Sequence, residues 1–94
     1  MEYDEKFIKT VVNLGGLGYD IEKSVNVLDI EKEADIAQFR KDFLDKNSPI
    51  FKAYKRGQDK AEFAIDIKLF QKATEGDMKA LQKYEERQAY KGRG

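Results

Sequence analysis

Ninety-four residues, 40% hydrophobic and 12% aromatic, are enough for one modest core and too few for two. The chain contains neither cysteine nor histidine, which excludes a disulfide framework, the usual zinc sites, and the Ser-His and Cys-His nucleophile systems. The formal net charge is zero, yet residues 1–36 hold nine acids against four bases and residues 37–94 hold fourteen bases against nine acids, a contrast that suits a basic face for an anionic partner, two ends that attract each other between subunits, or plain solvation.

The apolar spacing predicts a first helix over about Tyr3–Leu14, with Phe7, Ile8, Val11, Val12 and Leu14 as its buried stripe. Gly15-Gly16-Leu17-Gly18 is expected to end it, because glycine supplies the positive φ of a helix stop. These glycines have neither dinucleotide-fingerprint spacing nor a Walker lysine, so a stop is preferred to a phosphate loop. Asp20 caps a short second helix over about Ile21–Leu28, with Ile21, Val25 and Leu28 inward. Asp29-Ile30 breaks the chain, and a third helix is expected over about Lys32–Asp45, buried through Ile36, Phe39 and Phe43.

Ser48-Pro49 is the clearest start signal: a capping serine followed by proline at the first helical position. The fourth helix is expected to run from there through Glu75, with Ile50, Ala53, Tyr54, Gly57, Ala61 and Ala64 on one face. Beyond Ala61 the apolar residues spread around it, and Phe63, Ile67 and Phe70 are predicted either to be core or to serve oligomerisation. Gly76 and Asp77 separate it from a last helix over about Met78–Ala89, with Met78, Leu81 and Tyr84 inward and residues 91–94 as a frayed tail. No segment alternates with period two. The expected fold is all-α, a compact bundle of about five helices in one domain over residues 1–90, with a long fourth helix.

No apolar run is long enough to span a bilayer, and the acidic Met1–Glu5 opening is unlike a signal peptide, so a cytoplasmic protein without membrane contact is expected. The hydroxyls Thr10, Ser24, Ser48 and Thr74 lack an activating base, and the carboxylates sit among lysines on polar helix faces. No enzyme activity, metal or cofactor is expected.

Residues 20–44 carry the functional signal: a short amphipathic helix, a tight break, then a second helix, the layout of a helix-turn-helix. The outer face of the second helix is expected to present Lys32, Asp35, Gln38, Arg40 and Lys41. Gln38 suits an adenine edge, and Arg40 or Lys41 suits guanine or phosphate. Asp29 stands where this layout commonly carries glycine, and Glu31, Glu33 and Asp35 place negative charge at the start of the second helix. Those acids suit the helix dipole and oppose phosphate, which keeps open a second reading: a protein-interaction or oligomerisation module on the same scaffold. Lys52, Arg56 and Lys60 recur at i, i+4, i+8, as do Lys79, Lys83 and Arg87, and each stripe suits a phosphate backbone or plain solvation.

Three stretches share an order with a known family: Ile21 with Val25-Asn26-Val27-Leu28-Asp29-Ile30; Asn47-Ser48-Pro49-Ile50-Phe51-Lys52-Ala53-Tyr54-Lys55-Arg56-Gly57; and Ala73-Thr74-Glu75-Gly76-Asp77-Met78-Lys79-Ala80-Leu81. Over roughly residues 10–87 the chain resembles the small terminase subunits of tailed bacteriophages. That resemblance implies recognition of double-stranded viral DNA at the start of packaging in a bacterial host cell, assembly into a homo-oligomeric ring, and handover to an ATP-driven large terminase subunit.

Overall fold

The computed structural model describes residues 1–74 and 78–92, with side chains described through residue 74 and from 81 to 88. The fold is all-α: among the described residues there are five helices and no strand, namely α1 (Glu5–Leu17), α2 (Ile21–Val27), α3 (Glu33–Leu44), α4 (Pro49–Thr74) and α5 (Met78–Gly92). None of them is long and apolar enough to cross a membrane. Within the range read as one domain, the helices group into two compact units, Met1–Ala61 and Glu62–Gly94.

The first unit is built around Val11, Val25, Ile30, Phe39, Ile50 and Ala53, contributed by α1, α2, the α2–α3 turn, α3 and α4. Phe39 and Ile50 are fully buried. A run of ring contacts passes through this core from Tyr3 to Phe7, Phe39, Phe43 and Tyr54, with successive centroids 5.1, 6.2, 5.9 and 4.7 Å apart. Its last hydroxyl, Tyr54 Oη, donates to the carbonyl of Tyr19 at 2.7 Å. The aromatic chain therefore ties the start of the protein to α1, α3, α4 and the α1–α2 turn.

Helix ends follow their local chemistry. Asp4, Asp20 and Ser48 each accept a backbone N–H three residues on, at 2.7, 2.8 and 3.0 Å. The stop of α1 departs from the expectation: Gly15 and Gly16 lie inside the helix, and only Gly18 takes the left-handed conformation, at φ 71°. Gly15 serves a different need, close approach to α4, where a Cβ would lie 2.0 Å from the carbonyl oxygen of Tyr54. At the other end of the chain, α5 continues through Lys91 and Gly92, which the sequence pattern assigned to a tail. The stop at Gly76 and the cap at Asp77 lie outside the described residues.

The second unit is a helical hairpin, in which α5 runs back along the last turns of α4. Arg87 pairs with Asp66 and lies 3.7 Å from Glu62, while the rings of Phe70 and Tyr84 meet at 5.7 Å. Asp66 is 9% exposed. Burial of that carboxylate is compatible with its charge because the Arg87 guanidinium sits against it.

Candidate nucleic-acid interface

The α2–α3 pair lies within the first unit, and its turn sets its shape. Asp29 has φ 57°, its N–H donates to the carbonyl of Asn26 at 3.2 Å, and the N–H of Ile30 donates to that of Val25 at 3.2 Å. These two bonds are the left-handed helix stop that satisfies orphan carbonyls at a C-terminus. Asp tolerates the left-handed region because its short polar side chain interacts locally. The stop brings Ile30 back into the core beside Val25 and redirects the chain into α3.

Phe39, with no exposed surface, fixes the rotation of α3. With that residue inward, Glu33, Ala34, Ala37, Arg40, Lys41 and Leu44 are turned to solvent. Lys32 is exposed just before the helix, as its N-terminal flanking residue. Arg40 forms an ion pair with Glu22 of α2. Lys41 makes no ion pair among the described residues. Three of the expected contacts, Lys32, Arg40 and Lys41, are therefore available on the outside of the pair.

Gln38 is placed differently. It is half-buried on a flank of α3 covered by residues 1–3. Its Nε2 donates to the Met1 carbonyl at 3.1 Å, and the Met1 amino group donates to its Oε1 at 3.3 Å. Asp35 lies 3.9 Å from the same amino group, and Asp42 accepts a 2.6 Å hydrogen bond from the Tyr3 hydroxyl. Asp35, Gln38 and Asp42 thus form a separate stripe engaged by the chain itself. An amide held on both of its atoms is poorly placed to read a base edge.

On α4, Lys52, Arg56 and Lys60 are all exposed along one face. Their neighbour Lys55 is instead tied to Asp59 at 3.2 Å. The second basic stripe is described only in part. Arg87 is drawn into the hairpin by Asp66 and Glu62, Lys83 is exposed, and the side chain of Lys79 lies outside the described residues. In the same unit Phe63, Ile67 and Phe70 are 65%, 39% and 48% exposed, a stripe at i, i+4, i+7 along α4.

Sequence reasoning did not find Glu22, whose tie to Arg40 spans eighteen positions and leaves no periodic trace, or the engagement of Gln38 by Met1. Among the described residues no group of three or more acidic, histidine or cysteine side chains is arranged to hold a metal ion. No family model, no curated protein and no solved structure matches the chain.

Proposed function

We propose that the first unit binds double-stranded DNA, with α3 entering the major groove and α2 bracing it, as the resemblance to small terminase subunits implies. The observation that supports this most is the left-handed stop at Asp29, which turns α3 so that Arg40 and Lys41 face outward beside the small residues Ala34 and Ala37. Small side chains on that face let a helix backbone come close to base edges, and long basic ones reach guanine or phosphate. Lys32, Lys52 and Arg56 add exposed cations for the DNA backbone, which carry affinity without sequence information. In this reading the DNA is viral and bound at packaging initiation in a bacterial cytoplasm. Copies of the chain associate through Phe63, Ile67 and Phe70, and a large terminase subunit is the downstream partner.

Binding of a labelled duplex, followed by fluorescence anisotropy across a salt series, tests the reading. The affinity should fall steeply with salt, Arg40→Ala and Lys41→Ala should each weaken it, and Lys41→Ala should reduce the log–log slope by about 0.9 for its lost phosphate contact. Absence of binding at low salt would overturn it.

A second reading, a protein-interaction module on the same scaffold, is favoured by the engagement of Gln38 by Met1 and by the acids Glu31 and Glu33 flanking Lys32. Light scattering separates the two further. An oligomer that never binds DNA supports the module, and a strict monomer removes the role given to Phe63, Ile67 and Phe70.

A further inference from the structure

We infer that Glu22 is a positioning residue for Arg40: it fixes the guanidinium for base reading and, in doing so, weakens its attraction to phosphate. The inference rests on the DNA-binding reading above and names how its central side chain is set.

Glu22 lies in the first turn of α2 and Arg40 lies well inside α3, and the fold-back at Asp29 brings them together. Their side chains are 69% and 51% exposed, so the pair contributes little to folding stability. Its consequence is conformational. A guanidinium is a planar fork of five donors, and Glu22 engages it at Nη2. Bidentate reading of guanine needs two parallel N–H groups presented at once, and a long side chain that is already oriented loses less rotamer freedom on binding. The same carboxylate opposes an approaching phosphate, so it costs sequence-independent affinity. Lys41, beside Arg40 on the outer face, has neither a fork nor an anchor, and suits phosphate alone.

The test uses the full chain with two probes: a fixed duplex of arbitrary sequence, and a randomised duplex pool whose bound fraction is sequenced. Glu22→Ala should bind the arbitrary duplex about threefold tighter, the scale of one exposed ion pair. Its salt slope should steepen by about 0.9 as Arg40 turns to phosphate. Base enrichment in the pool should flatten by about fivefold, the lower end of what a bidentate guanine contact supplies. Glu22→Gln, which keeps an acceptor oxygen without the charge, should gain the affinity and retain more of the enrichment. Arg40→Lys should hold the arbitrary affinity within about twofold and flatten the pool as Glu22→Ala does. Enrichment unchanged in Glu22→Ala, or affinity and enrichment falling together, overturns the inference. A wild-type chain that binds with no base preference leaves DNA binding standing and overturns the positioning role. A wild-type chain that binds neither probe at low salt overturns both.

Discussion

Gly57 faces the backbone of Val12 so closely that a Cβ placed on it would lie 1.8 Å from the Val12 carbonyl oxygen. The approach is reciprocal, since Gly15 stands in the same relation to Tyr54. Helices α1 and α4 therefore cross backbone against backbone, with no room for a methyl group at either point. Gly16 is different: a Cβ placed on it would meet the Gly57 carbonyl oxygen at 3.5 Å and the Ala61 Cβ at 4.0 Å, ordinary contact distances. Gly15→Ala and Gly57→Ala should each cost about 3 kcal/mol or more, because the obstruction is backbone that cannot step aside. Gly16→Ala should instead stabilise by about 0.5–1 kcal/mol, the helix-propensity gain of alanine over glycine. Urea denaturation of the three variants checks the contrast, and a loss at Gly16 equal to that at Gly15 would refute the crossing as its cause.

Ser24 is fully buried in α2, and its hydroxyl has no hydrogen-bond partner among the described residues. A buried unsatisfied hydroxyl costs about 1–3 kcal/mol in desolvation, whereas a methyl group at the same point costs nothing comparable. Ser24→Ala is expected to stabilise the first unit by about 1 kcal/mol and raise its melting temperature by about 5 °C. A melting temperature that falls would mean that the hydroxyl does have a partner.

The helices were legible because caps and apolar spacing are local signals. Ser48-Pro49 and Asp20 announce helix starts within three residues, and Phe39 with Phe43 sets the phase that turns Arg40 and Lys41 outward. Gly15 and Gly16 misled because a sequence does not distinguish glycine needed for positive φ from glycine needed for close approach. Only Gly18 uses the first property. Pairs distant along the chain were invisible for a related reason: Arg87 with Asp66, Arg40 with Glu22, and Gln38 with Met1 depend on which helix faces meet. Periodicity fixes a helix's own rotation and says nothing of the residue opposite.

In the hairpin, Arg87→Ala removes the guanidinium that faces the buried Asp66 and the half-buried Glu62. The Arg87 side chain is 32% exposed and that of Asp66 12%, so the loss should fall between the about 1 kcal/mol of an exposed pair and the about 3–5 kcal/mol of a fully buried one. The loss is expected chiefly in the second unit. Hydrogen exchange should show faster exchange over α5 while the amides of α1 to α3 keep their protection. Uniform loss of protection over all five helices would contradict this localisation.

Asp29 holds a left-handed conformation that glycine adopts without strain. Asp29→Gly should stabilise the α2–α3 turn by about 0.5–1 kcal/mol, and Asp29→Val should cost about 1–2 kcal/mol, because a β-branched residue is poorly tolerated there. Thermal melts of both variants provide the check. If the valine variant melts with the wild type, the turn does not depend on this conformation.

Alkaline stability should report the Tyr3–Asp42 hydrogen bond. The Tyr3 phenol is pushed above its ordinary value of 10.0, first by burial and then by the hydrogen bond to Asp42 and that carboxylate's charge. Burial and the charge of Asp20 raise Tyr54 in the same direction. A group whose folded pKa is raised contributes stability that is complete below its unfolded value and is lost as pH rises through the folded one. The first unit should therefore hold its tyrosine contribution up to about pH 10 and lose it steeply above. Tyr3→Phe gives up one hydrogen bond, about 1 kcal/mol near neutral pH. It also removes the phenol that must stay neutral, so its stability should decline less steeply in alkali and the two curves should converge. Urea midpoints followed from neutral pH to about pH 11 measure both slopes. Parallel curves throughout would show that the Tyr3 phenol titrates alike in the folded and unfolded chains.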